Sequence, residues 1–261
     1  MHRRRKAFTL IELLVVVAII ALLISILLPS LGRAKHQAKA VVCGSNGRQL
    51  GISLAAYLDD NRGFFPGEHS AGGQVAWNVW APRLRKYSAM QEKLFWCPTA
   101  DPRTWWKPEF NLPRPVKRYR GWGYQWGEYP LDAAYGLFCY GYNSWGVAET
   151  FGHPGLRFGL GAHVDDPYYT WCWNVRQAEV KRPAEMIAIA DSKADGNWDT
   201  AIDPEMHQDH EWPSSRHMGG AEVLYCDGHV MWERQRTLVE PTQWSRQRWN
   251  NDHLPHEDFW Q

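Results

Sequence analysis

No Cys-x-x-Cys pair, no His-Glu-x-x-His, no Gly-x-Ser-x-Gly and no phosphate-cradling Gly-rich loop occurs in the 261 residues. The words that organise a zinc hydrolase, a serine nucleophile or a nucleotide site are therefore missing. Charge of one sign is missing too: 29 Lys and Arg stand against 28 Asp and Glu, which gives no global field for nucleic acid. No internal repeat is visible. Cysteine is scarce and odd in number, at positions 43, 97, 139, 172 and 226, so at least one thiol has no partner within the chain. The count suits an oxidising compartment, but the connectivity stays open between Cys139 with Cys172 and Cys43 with Cys97.

What the sequence does have is one long apolar run. From Phe8 to Leu28, 16 of 21 residues are Leu, Ile, Val or Phe, and at ~1.5 Å per residue they span roughly the 30 Å hydrocarbon core of a bilayer. The run holds a single acid, Glu12. Sixteen such side chains contribute on the order of −8 kcal/mol to insertion, against a few kcal/mol for one ionisable group near a helix end. The run is longer than the apolar region of a secretory signal, and "PSLGRAKHQAKA" after it reads as more helix. Arg3, Arg4, Arg5 and Lys6 favour a cytoplasmic N-terminus, while Arg33, Lys35 and Lys39 beyond the run weaken that bias.

The stretch "KAFTLIELLVVVAIIALLISILLPSL" resembles the leader and N-terminal helix of type IV pilins and type II secretion pseudopilins. That resemblance implies a prepilin peptidase cut between Ala7 and Phe8, N-methylation of Phe8, and Glu12 as the fifth residue of the mature chain. Ala7 departs from the family's usual Gly before the cut. An acid in lipid is tolerated when it has a partner, and the freed amine of a neighbouring subunit's Phe8 lies at matching depth. Glu12 then sets subunit register. Removing four of the 29 cations with the leader leaves 25 against 28 acids, a mature charge of −3.

Beyond Pro29, expected to kink or loosen the helix, Ala34, Ala38, Val41, Val42, Ser45, Ile52 and Ala56 recur near helical spacing. They predict an amphipathic continuation over 29–62 that lays this face on a head. Gly44, Gly47 and Gly51 each cost about 1 kcal/mol relative to Ala and predict a compliant middle. Residues 63–77 read as loop and "WNVWAPRLRKYSA" as a short helix. "EMIAIADS", 185–192, reads as a buried strand. "AEVLYCDGHVMWER" predicts a hairpin over 221–233 about a type I′ turn at Asp227-Gly228. The stretch from Trp105 to Trp173, ends included, holds seven Trp among many Gly and Pro and reads as a long irregular insertion.

His217, nine residues, then Asp227-Gly228 match the H-x(9)-D-G signature of a pseudopilin-like family of planctomycetes and related bacteria. "CGSNGRQLGISLAAYLDDNRGFFP", "CP" at 97, "YGYN" at 140–143 and "RPAEMIAIADS" are similar to that family as well. Asp and Gly suit a hairpin turn, and His217 suits a loop hydrogen bond; the sharper reading makes Asp191, His217 and Asp227 a cation or partner site. Asp195, Asn197 and Asp199 alternate oxygen ligands as calcium loops do, but Thr200 and Met206 stand where an EF-hand needs Gly and Glu. His207, Asp209 and His210 offer metal ligands without a hydrolase word to organise them. "RPVKRYRGWGYQW", 114–126, interleaves cations with aromatics and is the best local candidate for DNA or glycan, against the plainer reading that its rings fill a core.

Together these features predict a non-enzymatic α+β, pilin-like subunit. Its parts are a leader (1–7), a transmembrane helix (8–28), an amphipathic continuation (29–62) and a mainly antiparallel head with long Trp/Gly/Pro-rich loops (63–261). The implied partners are prepilin peptidase, other pilin or pseudopilin subunits and an inner-membrane assembly platform, with calcium as a candidate cofactor. The expected location is the inner membrane, with the head in the periplasm or on the cell surface. The alternative is a pilin-anchored module whose Trp-rich loops bind glycan or DNA.

Overall fold

The computed structural model describes residues 10–71, 76–107, 123–125, 128–133, 135–145, 158–161, 175–204 and 209–259. Helix α1 (Leu10–Asp60) has 51 residues and is about 75 Å long. Residues 10–38 are exposed all round. Pro29 lies inside α1 and removes the amide that the Ser25 carbonyl would otherwise accept from. The helix nevertheless runs on without a break. Ser25 Oγ donates to the Leu22 carbonyl at 2.7 Å and Ser30 Oγ to that of Leu27 at 2.8 Å.

The second half of α1 packs on the head with Cys43, Gly44, Gly47, Leu50, Gly51, Leu54, Tyr57 and Leu58, a stripe at three- and four-residue spacing. This corrects the expected face. Ala34, Ala38, Ser45 and Ala56 point outward, as do Val41 and Ile52, which are 70% and 69% exposed. The reason is closeness of approach. A Cβ on Gly47 would sit 3.2 Å from Val230 Cγ2, and one on Gly51 only 2.8 Å from the Gly228 carbonyl oxygen. The glycines set the helix directly on the sheet, so they serve as contact surface rather than as a source of compliance.

Among the described residues seven strands follow in chain order: β1 (His69–Ala71), β2 (Ala76–Asn78), β3 (Tyr140–Asn143), β4 (Ile187–Asp191), β5 (Ala201–Ile202), β6 (Gly220–Tyr225) and β7 (Val230–Arg234). The first two pair as a small antiparallel ribbon, His69 opposite Asn78, where a loop was expected; three residues are too few to show a period of two. The other five form one sheet in the order β5-β3-β4-β6-β7. Only β3 with β5 is parallel. The expected short helix is α2 (Trp80–Arg85), and α3 (Gln235–Val239) and α4 (Gln243–Gln247) close the chain's last third.

Every residue of β4 is buried, as its apolar run predicts for a strand covered on both faces. The register slips between Ile187 and Ile189, and this bulge sends Ala188 and Ile189 into one core and Ile187 and Ala190 into the other. The first core lies under α1 and α2 and holds Trp80, Phe95, Trp106, Tyr124 and Tyr142. The second holds Trp145, Leu238 and Trp249. Within α2 the fully buried Arg85 meets Glu128 at 2.5 Å and lies 4.5 Å over the Trp106 ring.

The β6–β7 hairpin forms as expected, but its turn is not type I′. Gly228 N donates to the Tyr225 carbonyl at 2.9 Å, Tyr225 N donates to that of His229 at 3.0 Å, and in the turn Gly228 alone has positive φ (94°). That is a three-residue loop with glycine in the left-handed position. Asp227 holds it by accepting from the His229 amide at 3.0 Å.

Gly51→Ala therefore drives a methyl into the Gly228 carbonyl and Leu224, and is expected to cost about 1–3 kcal/mol. Gly44→Ala meets only the end of the Glu222 side chain, at 3.2 Å, and is expected to cost less. Tryptophan-fluorescence melting of the detergent-solubilised chain compares the two directly.

Candidate functional site

Two features of the fold invite a functional reading: the exposed stem and a buried polar cluster where α1 meets the sheet. On the stem, Glu12 lies in the first turn of α1, where a carboxylate meets the positive end of the helix dipole. The side chains of Leu10 to Leu31 that are large and apolar lie open on all sides of the helix. Ala7 and Phe8 lie outside the described residues.

The cluster gathers four side chains from four separate segments. Cys43 comes from α1, Cys97 from the turn after a short 3-10 helix (Glu92–Phe95), Asp191 from the end of β4, and His217 from the turn before β6. All four are buried, and their ligand-type atoms lie within 4.8 Å of one another. Cys43 Sγ is 2.6 Å from Cys97 Sγ, with both present as thiols. Cys97 Sγ is 3.4 Å from His217 Nε2, which is 3.2 Å from Asp191 Oδ2. Around them, Glu222 N donates to Asp191 Oδ2 at 2.8 Å, Arg216 Nη1 lies 3.7 Å from Asp191 Oδ1, and Thr99 Oγ1 lies 3.0 Å from Cys97 Sγ. Asp191 Oδ1 is buried without a hydrogen bond.

The electrostatics follow from this crowding. Burial opposes ionisation of Cys97, yet the hydrogen bonds from Cys43 and His217 and the charge of Arg216 outweigh it and bring the thiol down to about 3. Cys43 moves the other way, chiefly through its hydrogen bond to Cys97 and then through burial. Burial also opposes the His217 cation, but Asp191 and Cys97 push it up to about 10. Burial raises Asp191, helped by the Cys97 charge and only partly offset by His217 and Arg216. The crowding thus favours ionisation of Cys97 and protonation of His217, and disfavours ionisation of Cys43 and Asp191.

An apolar-walled groove of about 520 Å³ runs beside the cluster, between α1 and the hairpin. Val41, Gly44, Met218 and Trp232 line it, and His217 and Glu222 reach its wall.

The other residues singled out in the sequence fall elsewhere. Asp191 and His217 do meet, but Asp227 does not join them: β6 separates His217 from Asp227, and its six residues span roughly 20 Å. Asp227 instead binds His229 Nδ1 at 2.6 Å. The carboxylates of the suggested calcium loop face protein donors. Asp199 accepts from the amides of Phe138, Asp195 and Gly196 at 2.9–3.0 Å, and Asp195 accepts from the Asn197 amide and meets His210. His207 and the cations Arg114, Lys117, Arg118 and Arg120 lie outside the described residues, as does Cys172. Trp106 and Tyr124 belong to the first core. Cys43 with Cys97 and Asp191 with His217 are each expected from the sequence, whereas the meeting of the two pairs is not. The signal was present as two separate pairings whose common location only the fold supplies.

Residues 2–28 match a family described as the prokaryotic N-terminal methylation motif. The chain carries a prepilin-type N-terminus. This motif together with the apolar helix supports a pilin-like or pseudopilin-like, membrane-anchored chain, processed by prepilin peptidase and assembling with other pilin subunits. The match covers the stem and not the head. Among curated proteins and solved structures, nothing matches the chain.

Asp191→Ala removes one partner of a fully buried charge network and is expected to destabilise by about 3–5 kcal/mol. Asp227→Ala loses an exposed turn contact and is expected to cost about 0.5–1.5 kcal/mol. Urea unfolding of both variants in the same detergent measures the difference.

Proposed function

We propose that the chain is a structural subunit of a type II secretion-like pseudopilus or a type IV pilus-related filament, anchored in the inner membrane with its head in the periplasm or on the cell surface. The observation that carries this reading is the N-terminal methylation motif on a stem whose apolar residues 10–31 are left open by the head. Such a stem is inserted in lipid before assembly and packs against neighbouring stems after it. The later half of α1 is fixed on the sheet by the Gly44, Gly47 and Gly51 face, so head and stem move into a filament as one body.

In this reading prepilin peptidase cuts between Ala7 and Phe8, and the Phe8 amine of one subunit meets Glu12 of the next. The pairing is worth most inside lipid, where neither charge has water as an alternative. An inner-membrane assembly platform supplies the remaining contacts. No enzymatic step and no cofactor enter the proposal. The rival reading, a glycan- or DNA-binding module on a pilin anchor, rests on the Trp-rich loops and above all on residues 114–126, of which only 123–125 are described, with Tyr124 buried in the first core.

Two measurements test the assignment. Mass analysis of the mature N-terminus is expected to find methylated Phe8. Glu12→Ala is expected to insert normally yet to be lost from sheared filaments and from stem-to-stem crosslinks. A mature chain still starting at its basic leader, or unchanged assembly of Glu12→Ala, overturns it.

A further inference from the structure

We propose that Cys43, Cys97, Asp191 and His217 form a closed tetrahedral zinc site that staples α1 to the sheet. The donor set is two thiolates, an imidazole and a carboxylate, which suits a borderline-soft divalent ion and not calcium or magnesium. A tetrahedron with ordinary zinc bond lengths has nitrogen–oxygen edges of about 3.4 Å, sulfur–nitrogen edges of about 3.6 Å and a sulfur–sulfur edge of about 3.8 Å. The observed His217 Nε2–Asp191 Oδ2 and Cys97 Sγ–His217 Nε2 distances, 3.2 and 3.4 Å, are close to the first two. The two sulfurs, at 2.6 Å, must part by about 1 Å, which a small turn of either thiol about its χ1 bond provides.

Charge and hydrogen bonding point the same way. Two thiolates and the Asp191 carboxylate carry three negative charges. A divalent ion and Arg216, 3.7 Å from Asp191 Oδ1, carry three positive ones, so the filled site is neutral with His217 uncharged. Asp191 Oδ1, a buried oxygen lacking a hydrogen bond, gains a cationic centre beside it. An outer layer is already in place: Glu222 N on Asp191 Oδ2 and Thr99 Oγ1 on Cys97 Sγ. Such contacts fix the orientation of metal ligands. The groove that His217 reaches gives the ion a way in.

The competing outcome is a disulfide between the same two sulfurs. A disulfide needs neither an imidazole nor a carboxylate, whereas these two groups stand at tetrahedral edges here, and that favours the ion. With four protein ligands the site has no open position, so its role is structural. It ties α1 to three other segments that the chain brings together from 54 and 120 positions apart. This inference stands independently of filament assembly.

The test uses the full chain in detergent, purified without added metal or reductant. Elemental analysis is expected to find about one zinc per chain. Chelation is expected to remove it and lower the melting temperature, and cobalt replacement to give the visible spectrum of a tetrahedral thiolate site. Cys97→Ser and His217→Ala are expected to lose the ion. Thr99→Ala, which leaves all four ligands, is expected to bind zinc about tenfold more weakly. A native chain with Cys43 and Cys97 joined and no zinc, a reduced chain that takes up no zinc, or zinc held equally by wild type and Cys97→Ser overturns the proposal.

Discussion

The seating of α1 on the β6–β7 hairpin is the contact on which the rest of the molecule depends. Glycine at 44, 47 and 51 brings the helix backbone against Glu222, Val230 and the Gly228 carbonyl. Leu50, Leu54, Tyr57 and Leu58 can then reach the first core. A single methyl at position 51 would lift the helix and open the layer beneath it. The same approach brings Cys43 to the end of β4. The helix–sheet spacing therefore decides whether there is a core and also whether the Cys43, Cys97, Asp191 and His217 side chains meet at all.

That contact divides one helix between two environments. Up to residue 38 the described helix is exposed, and from Leu10 to Leu31 its large side chains are those of a lipid-facing rod. From Cys43 onward one face is core, yet Val41, Val42 and Ile52 stay in the open, Val41 at the edge of the groove beside the hairpin. These exposed apolar side chains lie beyond the apolar stem, on the half of the helix that carries the head. In the proposed filament they give neighbouring stems something to pack on after those stems leave lipid, while the glycine face keeps each head in place.

Much of this was legible in the sequence. The 51-residue helix announces itself by the apolar run and its continuation. Strand β4 is readable because a strand buried on both faces needs no alternation. The β6–β7 hairpin is readable because Asp227-Gly228 interrupts two alternating segments. The inner face of α1 was misread for a definite reason: side-chain apolarity marks Val41 and Ile52, whereas the packing face is chosen by how near a backbone can come, and glycine scores as a helix weakener. The turn type was misread because Asp-Gly serves both a two-residue loop and a three-residue one, and the bonds at Tyr225 decide between them.

The polar cluster was half legible, and the half that was missed is the informative one. Asp191 and His217 could be paired because each stands at the end of a recognisable strand. Asp227 was added to them on the strength of its place in the same signature, but residues at opposite ends of one strand cannot share a ligand. Cys43 and Cys97, read from spacing alone, suggest only a bond to each other. Sequence offers no reason to bring a thiol from a helix facing lipid to a histidine in a turn before β6, because the connection runs through the glycine contact and not through spacing. Burial then forces a physical choice. Two sulfurs, an imidazole and a carboxylate are costly to bury as separate groups, and in the proposed site one centre satisfies them together.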